Sequence, residues 1–328
     1  MINYFLSKQV GFQEKHRLSL KVMRIKNIVM KAELVFLGTS SAVPTKERSH
    51  SAVYLRYKGD RFLFDCGEGA QRQMMLAGKS PMKIGHIFFS HIHGDHVLGL
   101  PGLLQSTDFQ EKTEPMHMYG PKRLKEYLDL VRKIEGCDVR FETPFHEAKG
   151  TVLETEEYTV KAFPLEHSIP TVGYVFEEKT CVHVDEKKLK KQGIKPGPHC
   201  KELKAGKDVE YKGQKLKAKD FVHSEPGLKI VYATDTKPCE SIIKNAMNAD
   251  LLIHDSTFAH DALDMAKKSD HSTARQAAIA AREANVKMLA LTHYSARYKN
   301  SELDKLRQDA QKEFDNVILA KDFEKLEF

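Results

Sequence analysis

His91-Ile92-His93-Gly94-Asp95-His96 follows, after Ser90, on the apolar run Ile87-Phe88-Phe89, and its reading decides the rest of the chain. In an extended segment His91 and His93 alternate with Ile92, so both imidazoles leave the chain on one side. Gly94 turns the backbone, and Asp95 and His96 are presented from the first turn of a following helix. Imidazole nitrogen and carboxylate oxygen together suit zinc or a similar divalent ion. Four ligand-type residues in six exceed what one tetrahedral ion draws from so short a stretch, so two ions sharing the string is the natural reading. A lone buried histidine is more often a satisfied core group than a ligand. Four such residues around a glycine at a strand end are not explained that way.

On either side, short apolar or alternating runs end in Gly, Ser, Asp or His, as strands joined by tight connections do. ELVFLG (33–38), SAVYLRY (51–57) and RFLFDCG (61–67) precede the string, and MHMYGP (116–121), TVKAFPLEH (159–167) and TVGYVFEE (171–178) follow it. GLKIVYATD (227–235), ADLLIHDS (249–256) and VKMLALTH (286–293) come later, each closing on Asp or His or just after one. KRLKEYLDLVRKI (122–134) and STARQAAIAAREA (272–284) carry helical spacing, the second with Ser272 or Thr273 available as a cap. Strands with helices between them predict an α/β sheet protein with its chemistry where strands end.

The 328 residues are 41% hydrophobic and 30% charged, which excludes disordered, collagen-like and membrane-embedded chains. No apolar run approaches the ~20 residues of a spanning helix. Cys66, Cys137, Cys181, Cys200 and Cys239 are odd in number and form no CxxC pair, which favours a reducing, cytoplasmic setting. The net charge of +7 is unevenly placed: residues 1–32 carry +6, residues 181–220 carry +6, and the remainder sums to −5. Residues 1–32 read as a basic extension outside the fold; their scarcity of acids also superficially suits an organelle transit peptide. A lysine-rich stretch is either a solvated face or a contact for a polyanion. Gly78-Lys79-Ser80 is no phosphate loop, because position 73 is Gln where that motif needs Gly.

The His91–His96 string resembles the signature of the metallo-β-lactamase superfamily, and further matches follow in order: Asp65 in FLFDCGEG, His167 in PLEHS, Asp235 in VYATDT and His293 in LTHYS. The resemblance implies a four-layer αβ/βα sandwich over residues 33–328, with a basic arm inserted at about 178–228. It implies that His91, His93 and His167 hold one divalent ion and Asp95, His96 and His293 another. Asp235 would bridge them, and Asp65 would orient the ligand loop. Zinc is the expected metal, with manganese the alternative.

Within that superfamily the chain is similar to ribonuclease Z, the transfer RNA 3′-processing endonucleases. LVFLGTSSAVPT (34–45), DCGEGAQRQ (65–73) and FFSHIHGDHVLGLPGLL (88–104) match their opening. Pro44-Thr45-Lys46-Glu47-Arg48 matches a PxKxRN loop associated with sensing the RNA 3′ end, although position 49 is Ser rather than Asn. His254-Asp255-Ser256-Thr257 and His271-Ser272-Thr273 match two more loops. GIKPGPHCKELKAG (193–206) is similar to the tip of a flexible arm that grips the transfer RNA body. The resemblance therefore implies a precursor transfer RNA substrate contacted by Lys46, Arg48, Gly193, Pro196, Gly197 and Pro198, and a homodimer. A phosphodiesterase needs an activated nucleophile, charge compensation and help for the leaving oxygen, which two metal ions ~3.5–4 Å apart largely supply. Asp95 is then the candidate general base, His271 the candidate acid, and Asp255 its orienting partner. Two other readings stand beside this one. A hydrolase of small phosphodiesters or sulfate esters would need neither the arm nor the Lys46 loop, and a non-catalytic RNA-binding subunit would not keep a complete ligand set.

Overall fold

The computed structural model describes residues 31–134 and 138–328. The basic N-terminal segment before residue 31, and Cys137, therefore lie outside the described residues. In chain order the main strands are β1 (Ala32–Gly38), β2 (Ala52–Tyr57), β3 (Asp60–Phe64), β4 (His86–Phe88), β5 (His117–Gly120) and β6 (Phe145–Glu147). Then come β7 (Gly150–Glu154), β8 (Tyr158–Leu165), β9 (Thr171–Glu178), β10 (Lys229–Ala233), β11 (Leu251–Asp255), β12 (Leu289–Thr292), β13 (Val317–Leu319) and β14 (Lys325–Glu327). The regular structure starts at Ala32, one residue before the expected Glu33. Ala32 pairs with Tyr57 and exchanges backbone hydrogen bonds with Phe328, so it is part of the sheet.

The strands form two seven-stranded sheets, ordered β14-β1-β2-β3-β4-β5-β6 and β13-β12-β11-β10-β9-β8-β7. In the first, β14 to β3 pair antiparallel and β3 to β6 parallel. The second repeats that plan, antiparallel from β7 to β10 and parallel from β10 to β13. Between the sheets lies an aromatic core in which Phe62, Phe64, Phe88 and Tyr119 of the first meet Tyr158, Tyr174, Phe176 and Tyr232 of the second. Each such side chain contributes about 1.5–3 kcal/mol on burial, which makes this layer the main adhesive between the halves. Helices cover the outer faces. Ala70–Leu76, Leu100–Phe109 and Lys122–Arg132 pack on the first sheet, Glu240–Ala246, Ala274–Glu283 and Asp304–Gln311 on the second. The result is the expected αβ/βα sandwich.

The helix Ala274–Glu283 starts where the sequence places it. Thr273 accepts the Gln276 N–H while Gln276 reaches back to the Thr273 N–H, a capping box. Two glycines let the loops of the His91–His96 string and of Asp65 touch backbone to backbone. A Cβ at Gly99 would stand 2.1 Å from the Gly67 carbonyl oxygen, and one at Gly67 2.4 Å from that of Asp95.

The lysine-rich insertion, expected as a flexible arm, is folded. Cys181–Val184 and Val222–Glu225 pair as an antiparallel ribbon. It leads into the short helices Glu186–Lys191, His199–Lys204 and Ala218–Phe221 and the hairpin Val209–Tyr211 with Gln214–Leu216. Leu189, Ile194, Leu203, Val209, Leu216, Ala218 and Phe221 give this unit a hydrophobic core of its own.

Candidate metal centre

Six strand ends converge on one spot. Asp65 follows β3, the His91–His96 string follows β4, His167 follows β8, Asp235 follows β10, Asp255 ends β11 and His293 follows β12. All leave the carboxyl ends of their strands. Three of these residues, Asp65 (φ +56°), Asp235 (φ +53°) and His293 (φ +62°), occupy the left-handed region, which costs a non-glycine residue about 1 kcal/mol or more. The bent backbone turns each side chain inward at the point where the strand stops.

The donors form two groups sharing Asp235. His91, His93, His167 and Asp235 have ligand atoms all within 4.8 Å of one another, as do Asp95, His96, Asp235 and His293. One Asp235 oxygen faces each group: Oδ2 lies 3.6 Å from His91 Nε2, and Oδ1 lies 3.3 Å from His96 Nε2 and 3.1 Å from His293 Nε2. Asp95 Oδ2 stands 3.4 Å from both His96 Nε2 and His293 Nε2. Donors about 2.0–2.1 Å from one tetrahedral zinc would be about 3.3 Å apart, so this spacing fits a coordination shell.

Four of the five ligand imidazoles, all but that of His93, are also oriented from behind. Nδ1 of His91 meets Ser90 Oγ at 2.9 Å, that of His96 meets Asp65 Oδ2 at 2.8 Å, that of His167 meets the Asp270 carbonyl at 3.0 Å, and that of His293 meets Thr257 Oγ1 at 3.0 Å. Such partners fix the tautomer of a metal-binding histidine. On the inner side, Nε2 of His167 is buried with no hydrogen-bond partner. A buried polar atom without a partner is costly, and a divalent cation held by the cluster would partner it. Asp65 is itself fixed by the Ser90 N–H and by the Tyr232 hydroxyl, 2.7 Å from its carboxylate in each case.

The electrostatics point the same way. Burial alone would lower the His96 pKa, yet Asp235, Asp65 and Asp95 together hold it well above the usual range. Burial also works to raise the Asp95 carboxyl, but His96 and the hydrogen bond with His293 keep it ionised far below the ordinary carboxylate range. Three carboxylates around one imidazole make a pocket that favours positive charge. The residues present fit a divalent-metal centre.

Beside it stand Asp255 and His271. His271 Nδ1 lies 2.7 Å from Asp255 Oδ2, and although burial lowers its pKa, that carboxylate raises it to about 9. Asp255 also accepts the Thr236 and Thr257 N–H groups. The His271 ring is 4.9 Å from that of His167 and 5.3 Å from that of His293, at the rim of the donor set.

Of the expected substrate contacts, Lys46 is exposed. With Lys299 it lines a cleft of about 370 Å³. Arg48 is buried, and its guanidinium bonds Asn300 Oδ1 and the Ser295 and Tyr298 carbonyls, so it ties the loop to the segment after His293. Gly193, Pro196, Gly197 and Pro198 lie in the turn joining two helices of the inserted unit. Sequence reasoning missed Tyr232 and the Ala42 N–H, which donates to Asp95 Oδ2 at 2.8 Å. A hydroxyl or backbone group acting behind a ligand leaves no pattern in one sequence.

A family model described as anti-Pycsar protein Apyc1 matches residues 32–196, and one described as a β-lactamase superfamily domain matches residues 213–294. A ribonuclease Z of Methanothermobacter thermautotrophicus is 47% identical over 83% of this chain and 89% of its own length. One of Methanosarcina mazei is 40% identical over 90% and 97%. Among solved structures, human tRNase Z, short form, superposes with a TM-score of 0.64 at 28% identity, covering 90% of this chain and 98% of that one. An identity of that size over most of both chains has one meaning: the chain belongs to the ribonuclease Z family.

Proposed function

We propose that this chain is a metal-dependent endoribonuclease that removes the 3′ trailer of precursor transfer RNA, leaving a 3′-hydroxyl on the transfer RNA and a 5′-phosphate on the trailer. The observation that carries the reading is Asp235, with one carboxylate oxygen turned to each of two complete donor groups. Membership of the ribonuclease Z family supports the substrate.

His91, His93 and His167 would hold one ion, Asp95, His96 and His293 the other, with Asp235 between them and zinc the metal. Bound there, two divalent cations supply Lewis acidity and charge compensation for a phosphodiester. The chain's own groups do the rest. Asp95, kept in place by the Ala42 N–H beside both donor groups, is the group placed to accept the proton of the attacking water. His271, with its pKa near 9, carries a proton at neutral pH and can deliver it to the leaving 3′-oxygen. Asp255 keeps that imidazole protonated and aimed.

The inserted lysine-rich unit supports recognition of folded RNA, which proteins read mainly through shape and backbone contacts. A small phosphodiester or sulfate-ester hydrolase would leave this unit and the Lys46 loop without a task. A second copy of the chain is the proposed partner. Met75, Leu76 and Leu98 are more than half exposed on the helical layer of the first sheet, apolar surface that a homodimer would cover. End-group analysis of the products from a 3′-extended transfer RNA tests the reading: a 3′-phosphate on the transfer RNA half would overturn the proposed chemistry.

A further inference from the structure

Loop 39–49 leaves β1 and returns to β2 carrying two groups of the proposed site: the Ala42 N–H that meets Asp95, and the exposed Lys46. Its two ends are gripped by a single carboxylate from the far end of the chain. Asp322 Oδ1 accepts the Thr39 hydroxyl at 2.8 Å, and Oδ2 accepts the Ser49 N–H at 2.7 Å. The Gln73 amide adds a third bond to Oδ2 at 3.1 Å while also donating to the Leu37 carbonyl at 2.7 Å. Between the gripped ends, Ser40 N–H donates to the Ser49 carbonyl at 2.9 Å, closing the neck of the loop. The Asp322 turn is docked in its own right, with the Phe323 N–H on the Phe36 carbonyl at 2.7 Å.

We propose that Asp322 is a positioning residue for the reaction, a clamp that sets loop 39–49 and through it both the Asp95 carboxylate and the Lys46 contact. The physical reason is geometric. Ala42 sits at φ +52°, and on its own a short loop with a left-handed residue populates many conformers. Anchoring both ends on two oxygens of one rigidly docked carboxylate removes most of them. Arg48, tied to Asn300, Ser295 and Tyr298, holds one flank of the loop, and Ser40–Ser41 pair with Tyr294–Ser295; the clamp on Thr39 and Ser49 sets the neck from which both hang.

The proposal rests on the endonuclease reading for its kinetic arm only. Three variants suffice. Asp322→Asn is close to isosteric; its carbonyl can accept the Ser49 N–H while its amide donates to the Thr39 hydroxyl oxygen. Asp322→Ala removes every contact, and Thr39→Val removes one and serves if the alanine variant does not fold. For Asp322→Ala we expect KM for precursor transfer RNA to rise about tenfold and kcat on bis(p-nitrophenyl) phosphate to fall about tenfold. Faster amide exchange at Ser40 and Ser49 should accompany both. Thr39→Val should shift each readout about threefold, and Asp322→Asn should stay near wild type. Unchanged KM, or kinetic losses that match only a smaller folded fraction, would overturn the clamp. So would Ser49 protection equal to wild type. Amide exchange is read without substrate, so a wild-type protein that fails to cut the RNA would sink the function and still leave the clamp testable.

Discussion

Asp235 and His271 do different work, and substitutions should separate them. Asp235 is shared by both donor groups, so Asp235→Ala should strip most bound metal along with activity, read by elemental analysis of the purified protein. His271 belongs to the rim and engages Asp255 rather than the ligand cluster. His271→Ala should therefore leave metal content at the wild-type level while lowering single-turnover cleavage by about 10²–10³-fold. Loss of metal in that variant would reassign His271 as a ligand. At this scale the sequence showed whatever has ligand chemistry, because His and Asp are rare enough at strand ends to stand out. It did not show direction. Arg48 sits in a motif that suggests substrate contact, yet its two terminal nitrogens bond a side-chain oxygen and two carbonyls inside the fold.

The inserted unit is the element on which specificity rests in this account. Its two-stranded base brings residues 181 and 225 side by side, so the unit can be excised and the chain rejoined by a short linker. Its core holds seven buried side chains among the described residues, separate from the aromatic core between the sheets. Excision of 181–225 should raise KM for precursor transfer RNA at least tenfold and leave hydrolysis of bis(p-nitrophenyl) phosphate within about threefold. Equal loss of both activities would argue that the unit supports the centre itself. The insertion was visible in the sequence as a charge anomaly, but its fold was not. Leu189, Ile194, Leu203, Val209, Leu216 and Phe221 are thinly spread among lysines, and segments of three to six residues carry too little period to announce a helix or strand. The same shortness hid β13 and β14, whereas β1, β8 and β9, at seven or eight residues, were plain.

Across the molecule, both halves contribute to one centre, so anything that loosens the two sheets acts on catalysis. The first sheet carries an acid-sensitive point far from the metal ligands. His86, at the start of β4, is stacked between Phe62 and His117, 5.6 and 5.3 Å away. Burial, with a smaller push from His117, lowers its pKa to about 4. The unfolded chain, with an ordinary value near 6.5, binds this proton first, so the neutral ring's stabilisation is complete above pH 6.5 and is lost as pH falls towards 4. Urea unfolding should show about 2 kcal/mol lost from this residue between pH 7 and 4.5, and His86→Phe should flatten that part of the profile. An unchanged slope in the variant would place the acid sensitivity elsewhere. The strand pattern by itself made an α/β sheet protein with its chemistry at strand ends legible; the four-layer sandwich followed from the resemblance carried by the His91–His96 string. The most direct test of the whole account is to incubate the wild type and Asp95→Ala with a 3′-extended transfer RNA and map the cut to the nucleotide. The account predicts one wild-type cut next to the discriminator nucleotide and almost none with the variant; cleavage elsewhere, or undiminished cleavage by Asp95→Ala, would contradict it.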